Sequence, residues 1–156
     1  MTRFLSLMLM LSVAMFGGGW TLFGTAPIGG VAAFAASAAD TETASFGMCH
    51  SGGGTNCVVD GDTIWYRETK IRIADIDTPE THQPKCAAEA KLGVAATRRM
   101  LQLVNAGPFT LQSINRDEDR YGRKLRVITR GGKSLGELLV EEGLARYYKG
   151  GRRGWC

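Results

Sequence analysis

Two acid-rich segments of the sequence carry the oxygen donors that a hard cation binds. In the first, Asp60 and Asp62 follow a short apolar run and are separated by a single glycine. In the second, Asp77 is followed by Thr78 and Pro79, and the proline favours an extended backbone at Thr78. This backbone can present the Thr78 carbonyl beside the Asp77 carboxylate, which gives two hard donors from neighbouring residues. Plainer interpretations remain, because Asp-Gly is common in hairpin turns and the second segment could be a solvated strand exit.

Arg72 lies on a predicted strand that leads into the second acidic segment. In an unbroken strand, Arg72 and Asp77 would lie on opposite faces of the sheet, because successive side chains alternate. They can converge only if the strand ladder breaks near Asp75, which the approach to the proline permits. A shared site for the arginine and the carboxylate therefore depends on that break.

The charges are distributed unevenly along the chain. Residues 40–97 hold nine Asp and Glu against five Lys and Arg, whereas residues 98–156 hold six against 13. An acidic half that could hold a cation, joined to a basic half that could hold a polyanion, suits metal-assisted chemistry on nucleic acid. Ordinary scattered surface charge is the alternative interpretation.

Length and composition limit the class of protein. The chain has 156 residues, which is enough for one ordinary domain and excludes a multidomain machine. Hydrophobic residues make up 44% and charged residues 22%, so most of the chain should fold as a soluble globule rather than remain disordered or lie in a membrane. The net charge of +4 favours a polyanionic partner without identifying one.

The hydrophobic pattern predicts three strands, a helix, two strands and a second helix. Gly93 weakens the first helix, and a charged loop is expected over residues 115–124. This order predicts a mainly β protein with helices (α+β), built as a five-stranded barrel of the oligonucleotide/oligosaccharide-binding (OB-fold) kind with two packed helices. The predicted strands span 57–59, 63–67, 70–76, 109–114 and 125–129, and the predicted helices span 86–104 and 135–142.

From about residue 57 to residue 149, the sequence resembles the staphylococcal nuclease (thermonuclease) family. Short motifs in matching order and spacing carry the resemblance: residues 59–63, Arg72 with residues 77–81, residues 119–123, and residues 141–145. The family fold is a five-stranded barrel with packed helices. Better-known members continue into a third C-terminal helix, for which this sequence has no counterpart.

The resemblance implies a role for each residue of a phosphodiesterase site. Ca²⁺ would be the single bound ion, although Mg²⁺ and Mn²⁺ share its preference for oxygen. Glu80 would activate or position the attacking water, and arginines would hold the phosphate. The implied metal ligands are Asp62, Asp77 and the Thr78 carbonyl, with Asp60 acting through water; the phosphate-binding arginines are Arg72 and Arg123; Arg120 and Tyr121 would contact the nucleotide.

These roles are chemically consistent with phosphodiester hydrolysis. The anionic diester repels hydroxide, and the transition state gathers charge on the phosphate oxygens, so a cation and two forked guanidinium groups would stabilise it. Lysine would be a poorer substitute for arginine here. A glutamate is ionised at neutral pH but is a weak base unless the water is already polarised.

The N-terminal segment is typical of an export signal. Residues 4–39 carry no charged side chain, begin with an apolar run and end in small residues. We predict a signal peptide over residues 1–38 with cleavage after Ala38, and an uncleaved anchor is the alternative. An extension (39–56) and a nuclease-like OB-fold domain (57–156) would follow, and the protein would be periplasmic or secreted. It would touch a membrane only if the segment were retained.

Four cysteines follow the predicted signal, and an even number in a small exported domain predicts two disulfides. Three pairings are possible. We favour Cys49 with Cys57, which flank a Gly-rich stretch, and Cys86 with Cys156; thiol coordination of a metal with His50 or His82 is the alternative. Both histidines are otherwise expected on the surface. The disulfide to Cys156 and burial of Trp155 could replace the stabilisation of the missing third helix.

The leading hypothesis is an exported, Ca²⁺-dependent endonuclease that cleaves DNA and RNA with little sequence preference and, by the resemblance, leaves 3′-phosphate ends. DNA or RNA is its predicted partner, and no stable protein partner is implied. One alternative is a non-catalytic OB-fold module of the cell envelope that binds nucleic acid or a protein. Another is a disulfide-rich envelope module with a purely structural ion site.

Overall fold

The computed structural model describes residues 39–50 and 53–156, so the predicted signal peptide lies outside the described residues. Neither helix of the described part is long and apolar enough to span a membrane. The helices are α1 (Ala87–Asn105) and α2 (Leu135–Glu141). The strands are β1 (Gly47–Met48), β2 (Asn56–Asp60), β3 (Thr63–Tyr66), β4 (Thr69–Ile73), β5 (Ile76–Asp77), β6 (Thr110–Glu118), β7 (Lys124–Arg130), β8 (Lys133–Ser134) and β9 (Arg146–Tyr147).

Five longer strands form the main sheet in the order β2-β3-β4-β7-β6. The first three make an antiparallel meander, β4 pairs with β7 in parallel, and β6 and β7 form an antiparallel hairpin. These strands and the two helices correspond to the predicted elements, which confirms the mainly β class. The short strands β5 and β9 pair with each other in a separate two-stranded sheet.

The β6–β7 hairpin is longer than the sequence analysis predicts. β6 continues to Glu118, which pairs with Lys124 at the start of β7. The prediction of a loop over residues 115–124 was therefore wrong for half of its length, because residues 115–118 and 124 belong to the strands and residues 119–123 form the turn. Part of the charge density that suggested a loop belongs instead to a solvent-exposed strand, where ion pairs such as Lys124 with Asp117 (2.6 Å) connect the two strands.

The segment before Cys57 packs into the domain. Glu42 exchanges backbone hydrogen bonds with Phe109 just before β6, at 2.8 and 3.0 Å, and β1 pairs in parallel with β2. The side chain of Asn105 binds both backbone groups of Phe46, which is buried. This N-terminal segment thus connects the β6 side of the sheet to the β2 side.

The hydrophobic core lies between the sheet and the helices. An aromatic cluster of Phe46, Tyr66 and Phe109 fills one end, with ring centroids 5.5 to 6.0 Å apart. The Tyr66 hydroxyl donates to Glu42 Oε2 at 2.6 Å, so its polar end is satisfied. The buried apolar side chains from both helices include Ala96, Met100, Leu103, Val104, Leu135 and Leu139.

Both disulfides form as favoured from the sequence. Cys49 pairs with Cys57 across eight residues, and Cys86 at the start of α1 pairs with Cys156 across 70 residues. The thiol-metal alternative is thereby excluded, because all four cysteines are oxidised. His50 and His82 are both exposed, as predicted.

Removal of the long disulfide should destabilise the fold more than removal of the short one. In the chain-entropy treatment, closure of the longer loop stabilises by about 4 kcal/mol and closure of the shorter one by about 2.5 kcal/mol. We expect Cys86→Ser/Cys156→Ser to lower the free energy of unfolding more than Cys49→Ser/Cys57→Ser does, as measured by urea denaturation of both variants at the same pH. Equal losses, or a larger loss for the short loop, would contradict this order.

Candidate active site

A break between β4 and β5 brings Arg72 to the acidic residues. β4 ends at Ile73, residues 74–75 form a turn, and β5 begins at Ile76. Arg72 Nη2 lies 3.1 Å from Asp62 Oδ2 and 3.7 Å from Asp77 Oδ1. The ladder therefore breaks at the place that convergence requires, and one buried guanidinium faces both carboxylates.

Asp62 is buried and holds the two acidic segments together. Its Oδ1 accepts a hydrogen bond from the Thr63 hydroxyl (3.1 Å), and its Oδ2 accepts one from the Thr78 backbone N–H (2.9 Å). The second bond fixes the Thr78 backbone against Asp62, so the Thr78 carbonyl belongs to the same small region as both carboxylates. The same Oδ2 also forms the ion pair with Arg72 Nη2, so both acidic segments and the arginine meet at this carboxylate.

Gly61 allows this close approach. A Cβ at Gly61 would lie 2.8 Å from Thr78 Cγ2 and 2.8 Å from Ala96 Cβ, which no real side chain tolerates. The Gly61 backbone is not in the left-handed region, so its conformation does not require glycine. Glycine is required because neighbouring atoms leave no room for a side chain. The Asp-Gly pair does join β2 to β3, and the same tight turn brings Asp62 to the site.

Burial, and after it the negative charge of Asp62, raises the pKa of two neighbouring carboxyl groups. Burial, followed by the charge of Asp62, raises the pKa of Asp60 to about 7, and Asp60 Oδ1 accepts from the Asp62 backbone N–H at 3.1 Å. Burial and the Asp62 charge also raise the pKa of Asp77, against the opposing charges of Arg72 and Arg152. The two guanidinium groups thus offset only part of the cost of burying these carboxylates.

The residues present are suited to a divalent cation. Asp77 Oδ1 is buried and makes no hydrogen bond, because Arg152 Nε and Arg72 Nη2 stay 3.6 and 3.7 Å away, so this oxygen keeps a lone pair for a ligand. Among the described residues, no group of three or more Asp, Glu, His or Cys side chains is arranged as a complete metal site. An ion here would rely on Asp62, Asp77, the Thr78 carbonyl and water, which is a ligand set that hard cations accept.

Glu80 lies just beyond this cluster, and helix α1 supports it from behind. Its carboxylate is partly exposed and forms an ion pair with Arg152. Gly93 of α1 lies against the backbone of the turn that carries Glu80: a Cβ there would come within 2.9 Å of the carbonyl oxygens of both Pro79 and Glu80. The glycine that weakens the helix pattern thus sets the position of Glu80.

Gly93→Ala should displace Glu80 and impair the site. Alanine favours a helix by about 1 kcal/mol over glycine, but overpacking against backbone typically costs about 1–3 kcal/mol. Misplacement of a catalytic group by about 1 Å can cost about 10²-fold in rate. We expect kcat to fall by about 10- to 100-fold, measured together with the urea midpoint. Gly47→Ala is the control, because a Cβ there meets nothing within 4 Å; equal activity of the two variants would contradict the prediction.

Arg123 is held in place by Asp119 across the β6–β7 turn. Asp119 Oδ2 accepts from Arg123 Nε at 2.7 Å and pairs with Nη2 at 2.6 Å, while Oδ1 accepts from the backbone N–H groups of Tyr121 and Arg123. Burial alone would raise the pKa of Asp119, but these hydrogen bonds hold it below its usual range. The guanidinium is therefore oriented before any ligand arrives.

A cavity of about 690 Å³ joins the two arginines that the sequence analysis selected. Tyr121 stands at its edge with 68% of its surface exposed, and the Arg120 and Arg123 guanidinium groups lie 4.7 and 5.5 Å from the centre of its ring. Five guanidinium groups and one carboxylate face the cavity, which suits a polyanion. The lining residues are Arg72, Ala74, Arg116, Asp119, Arg120, Tyr121, Arg123, Leu125, Tyr148 and Arg152.

The structure thus brings the selected residues into two adjoining groups. Arg72, Arg120, Tyr121 and Arg123 line the cavity, and Asp60, Asp62, Asp77, Thr78 and Glu80 lie beyond the arginines. Arg72 and Arg152 contact both groups.

The sequence analysis missed two arginines of this cavity. Arg116 was expected in a solvated loop but lies on β6 and lines the cavity. Arg152 was not selected at all. The favoured pairing of Cys86 with Cys156 could have indicated it, because that disulfide returns the C-terminal residues to the start of α1, six positions after Glu80.

Comparison with known proteins finds a family of nucleases and several named relatives. The family model described as staphylococcal nuclease homologue matches residues 70–154. Endonuclease YncB of Bacillus subtilis (strain 168) is 39% identical over 93 residues, covering 56% of this chain and 44% of that protein. The SPbeta prophage-derived endonuclease YokF of the same organism is 41% identical over 93 residues, covering 56% of this chain and 31% of YokF. Thermonuclease of Staphylococcus intermedius is 31% identical over 93 residues, covering 57% of this chain and 55% of that protein. The chain spans between about a third and just over half of the length of these relatives.

Proposed function

The chain belongs to the staphylococcal nuclease family, and we propose that it is an exported, Ca²⁺-dependent nuclease that hydrolyses DNA and RNA with low sequence specificity. The observation that carries the proposal is the juxtaposition of an arginine-lined cavity with a pair of buried carboxylates that share Arg72. The cavity is suited to the phosphate, and the carboxylates are suited to a cation. Phosphodiester hydrolysis needs both at one bond.

The cavity supports a nucleic-acid substrate of little sequence preference. Most of its polar side chains are guanidinium groups, which bind phosphate oxygens and carry no direct information about the bases. The exposed ring of Tyr121 can stack on any base, because every base has a π-face. Within residues 39–50 and 53–156, no recognition helix stands at the cavity, since α1 and α2 contribute no lining residue.

In the proposed reaction, Asp62, Asp77 and the Thr78 carbonyl would hold one Ca²⁺, and Asp60 would act through water. When bound, Ca²⁺ supplies positive charge to a phosphate oxygen and orients water. Mg²⁺ and Mn²⁺ prefer the same donors, so replacement of Ca²⁺ by each of them in the cleavage assay is needed to identify the ion that supports activity.

Glu80 and two arginines complete the proposed chemistry. Glu80 accepts a proton from the attacking water or orients it, which requires its carboxylate to separate from Arg152. Arg123, pre-oriented by Asp119, and Arg72, fixed between Asp62 and Asp77, donate to the phosphate as negative charge builds on its oxygens. Both guanidinium groups are held by the protein before the substrate arrives, so little reorganisation opposes their action.

The two disulfides support the proposal of export. Disulfides form and persist in secreted and periplasmic proteins and are rare in the reducing cytosol. The mass of the protein recovered from the cell envelope or the medium tests the predicted cleavage after Ala38. Retention of residues 1–38 on the mature chain would favour the anchored alternative.

Incubation of the oxidised protein with single-stranded DNA and with RNA tests the proposed activity. We expect cleavage of both with Ca²⁺, none with a chelator, and 3′-phosphate ends on the fragments. A Glu80→Gln protein purified in parallel reports any contaminating nuclease. Binding without cleavage would instead support a non-catalytic module, and neither binding nor cleavage would support an envelope module with a structural ion site. Cleavage that a chelator does not reduce would overturn the metal assignment.

A further inference from the structure

The C-terminal tail (residues 150–156) is fastened beside the candidate active site at several points. The Tyr148 N–H, just before the tail, donates to the Asp75 carbonyl at 2.8 Å. Arg146 Nη1 donates to the Gly154 carbonyl at 2.9 Å, and the same guanidinium lies 3.7 Å from the centre of the Trp155 ring. The disulfide to Cys86 fixes the last residue. The backbone on both sides of Arg152 is thus held in place.

Arg152 reaches from this tail to two residues of the proposed reaction. Its Nη1 forms an ion pair with Glu80 Oε1, and its Nε lies 3.6 Å from Asp77 Oδ1. Asp77 Oδ1 is the buried oxygen that lacks a hydrogen-bond partner, and it is the position proposed above for a cation. A guanidinium therefore already places positive charge where the carboxylates need it.

Arg152 differs from Arg72, which faces the same carboxylates. The Arg72 side chain is only 7% exposed and donates to the Ile73 carbonyl, so it stays in place. The Arg152 side chain is 55% exposed and also faces the cavity. Its head group can leave the carboxylates for the cavity while the tail stays fastened, because only side-chain rotations are needed.

We propose that Arg152 is a positioning residue that serves as an internal counter-ion: it holds Glu80 and Asp77 in the ligand-free protein, and a divalent cation must displace it to bind. The inference rests on the proposed metal site. Displacement frees the Glu80 carboxylate to accept a proton and directs the Arg152 guanidinium towards the phosphate in the cavity. The disulfide contributes because it keeps Arg152 within reach of both residues.

The test is the Ca²⁺ affinity of the oxidised protein, measured by calorimetry without nucleic acid. Loss of an exposed competing ion pair should tighten Ca²⁺ binding by about fivefold in Arg152→Gln. Arg152→Lys should remain close to the parent protein, because it keeps the charge. Arg153→Gln is the matched control: it removes the same charge one residue away, and no hydrogen bond or ion pair of Arg153 occurs among the described residues.

Release of the tail should reproduce the effect by a second route. Cys86→Ser/Cys156→Ser should also bind Ca²⁺ more tightly, provided that circular dichroism shows it folded at the assay temperature. Equal affinities of the parent protein, Arg152→Gln and Arg153→Gln would overturn this inference and leave the proposed nuclease site intact. Equal tightening by Arg152→Gln and Arg153→Gln would overturn it too, because the cause would then be general charge. Absence of Ca²⁺ binding in every variant would overturn the proposed metal site itself.

Discussion

Glu80→Gln should reduce kcat for hydrolysis of single-stranded DNA by about 10²–10⁴-fold, the range that a positioned general base contributes. The glutamine has the same shape and keeps a carbonyl-type oxygen, but it cannot take up a proton from water. Glu80 lies outside the Asp62, Asp77 and Thr78 cluster, so Ca²⁺ affinity should remain within a fewfold of the parent value. Steady-state kinetics with saturating Ca²⁺ and calorimetric titration of the ion measure the two quantities separately.

The same substitution in an exposed hairpin turn is the control for this result. Glu68 is exposed in the β3–β4 turn, and Glu68→Gln changes the net charge equally. It should leave kcat and Ca²⁺ affinity unchanged. A loss of Ca²⁺ affinity as large as the loss of rate in Glu80→Gln would instead identify Glu80 as a metal ligand. A rate close to that of the parent protein would remove Glu80 from the mechanism altogether.

The elements of the fold could be predicted because the patterns that specify them are local. The β-branched runs became β2, β3 and β4, and the apolar periodicity after Cys86 became α1 to within one residue at each end. The extent of the β6–β7 hairpin was predicted wrongly because it lacks such a local pattern. A solvent-exposed strand such as β6 needs no alternating apolar residues when its partner strand supplies the backbone pairing.

The roles of two glycines could not be predicted from the sequence, because the residues that exclude a side chain there are distant along the chain. Gly93 is a poor helix residue by propensity, yet the turn of Pro79 and Glu80 approaches too closely for any side chain. Gly61 was interpreted through its hairpin dipeptide, whereas contacts with Thr78 and Ala96 decide it. Local propensity does not contain such approaches, which depend on how remote elements pack.

In the candidate site, too, residues within local motifs could be predicted, whereas a residue brought in from a distant part of the chain could not. The residues within short motifs could be selected from their types and spacing, and the convergence of Arg72 with Asp77 could be stated as a condition on a strand break. Arg152 lies outside those motifs, and only the closure of a 70-residue loop brings it to Glu80. Side chains that reach a site through a disulfide are visible in a sequence only when the pairing and the site are considered together.

Arg123→Lys should lower kcat/KM by about 10²–10³-fold and leave the free energy of unfolding nearly unchanged. Removal of a preorganised donor to a developing charge costs about 3–4 kcal/mol in the transition state, and an ammonium group cannot reproduce the planar fork. The lysine can still pair with Asp119 at this partly exposed position, so the fold loses little. Arg98→Lys, on the exposed side of α1, is the matched control and should change neither quantity.

Arg72→Gln should differ from Arg123→Lys, because Arg72 stabilises the fold as well as the phosphate. Its guanidinium is the buried cation between Asp62 and Asp77, and removal of one partner from a buried ion pair costs about 3–5 kcal/mol. We therefore expect Arg72→Gln to lose activity and also to unfold at clearly lower urea. Saturating Ca²⁺ should restore part of this stability but not the activity, since an ion can replace the missing charge beside the carboxylates but not the forked donor at the phosphate. If Ca²⁺ raised the urea midpoint of the parent protein and not that of Arg72→Gln, the carboxylates would need Arg72 to form the cation site, and the two positive charges would be cooperative rather than interchangeable.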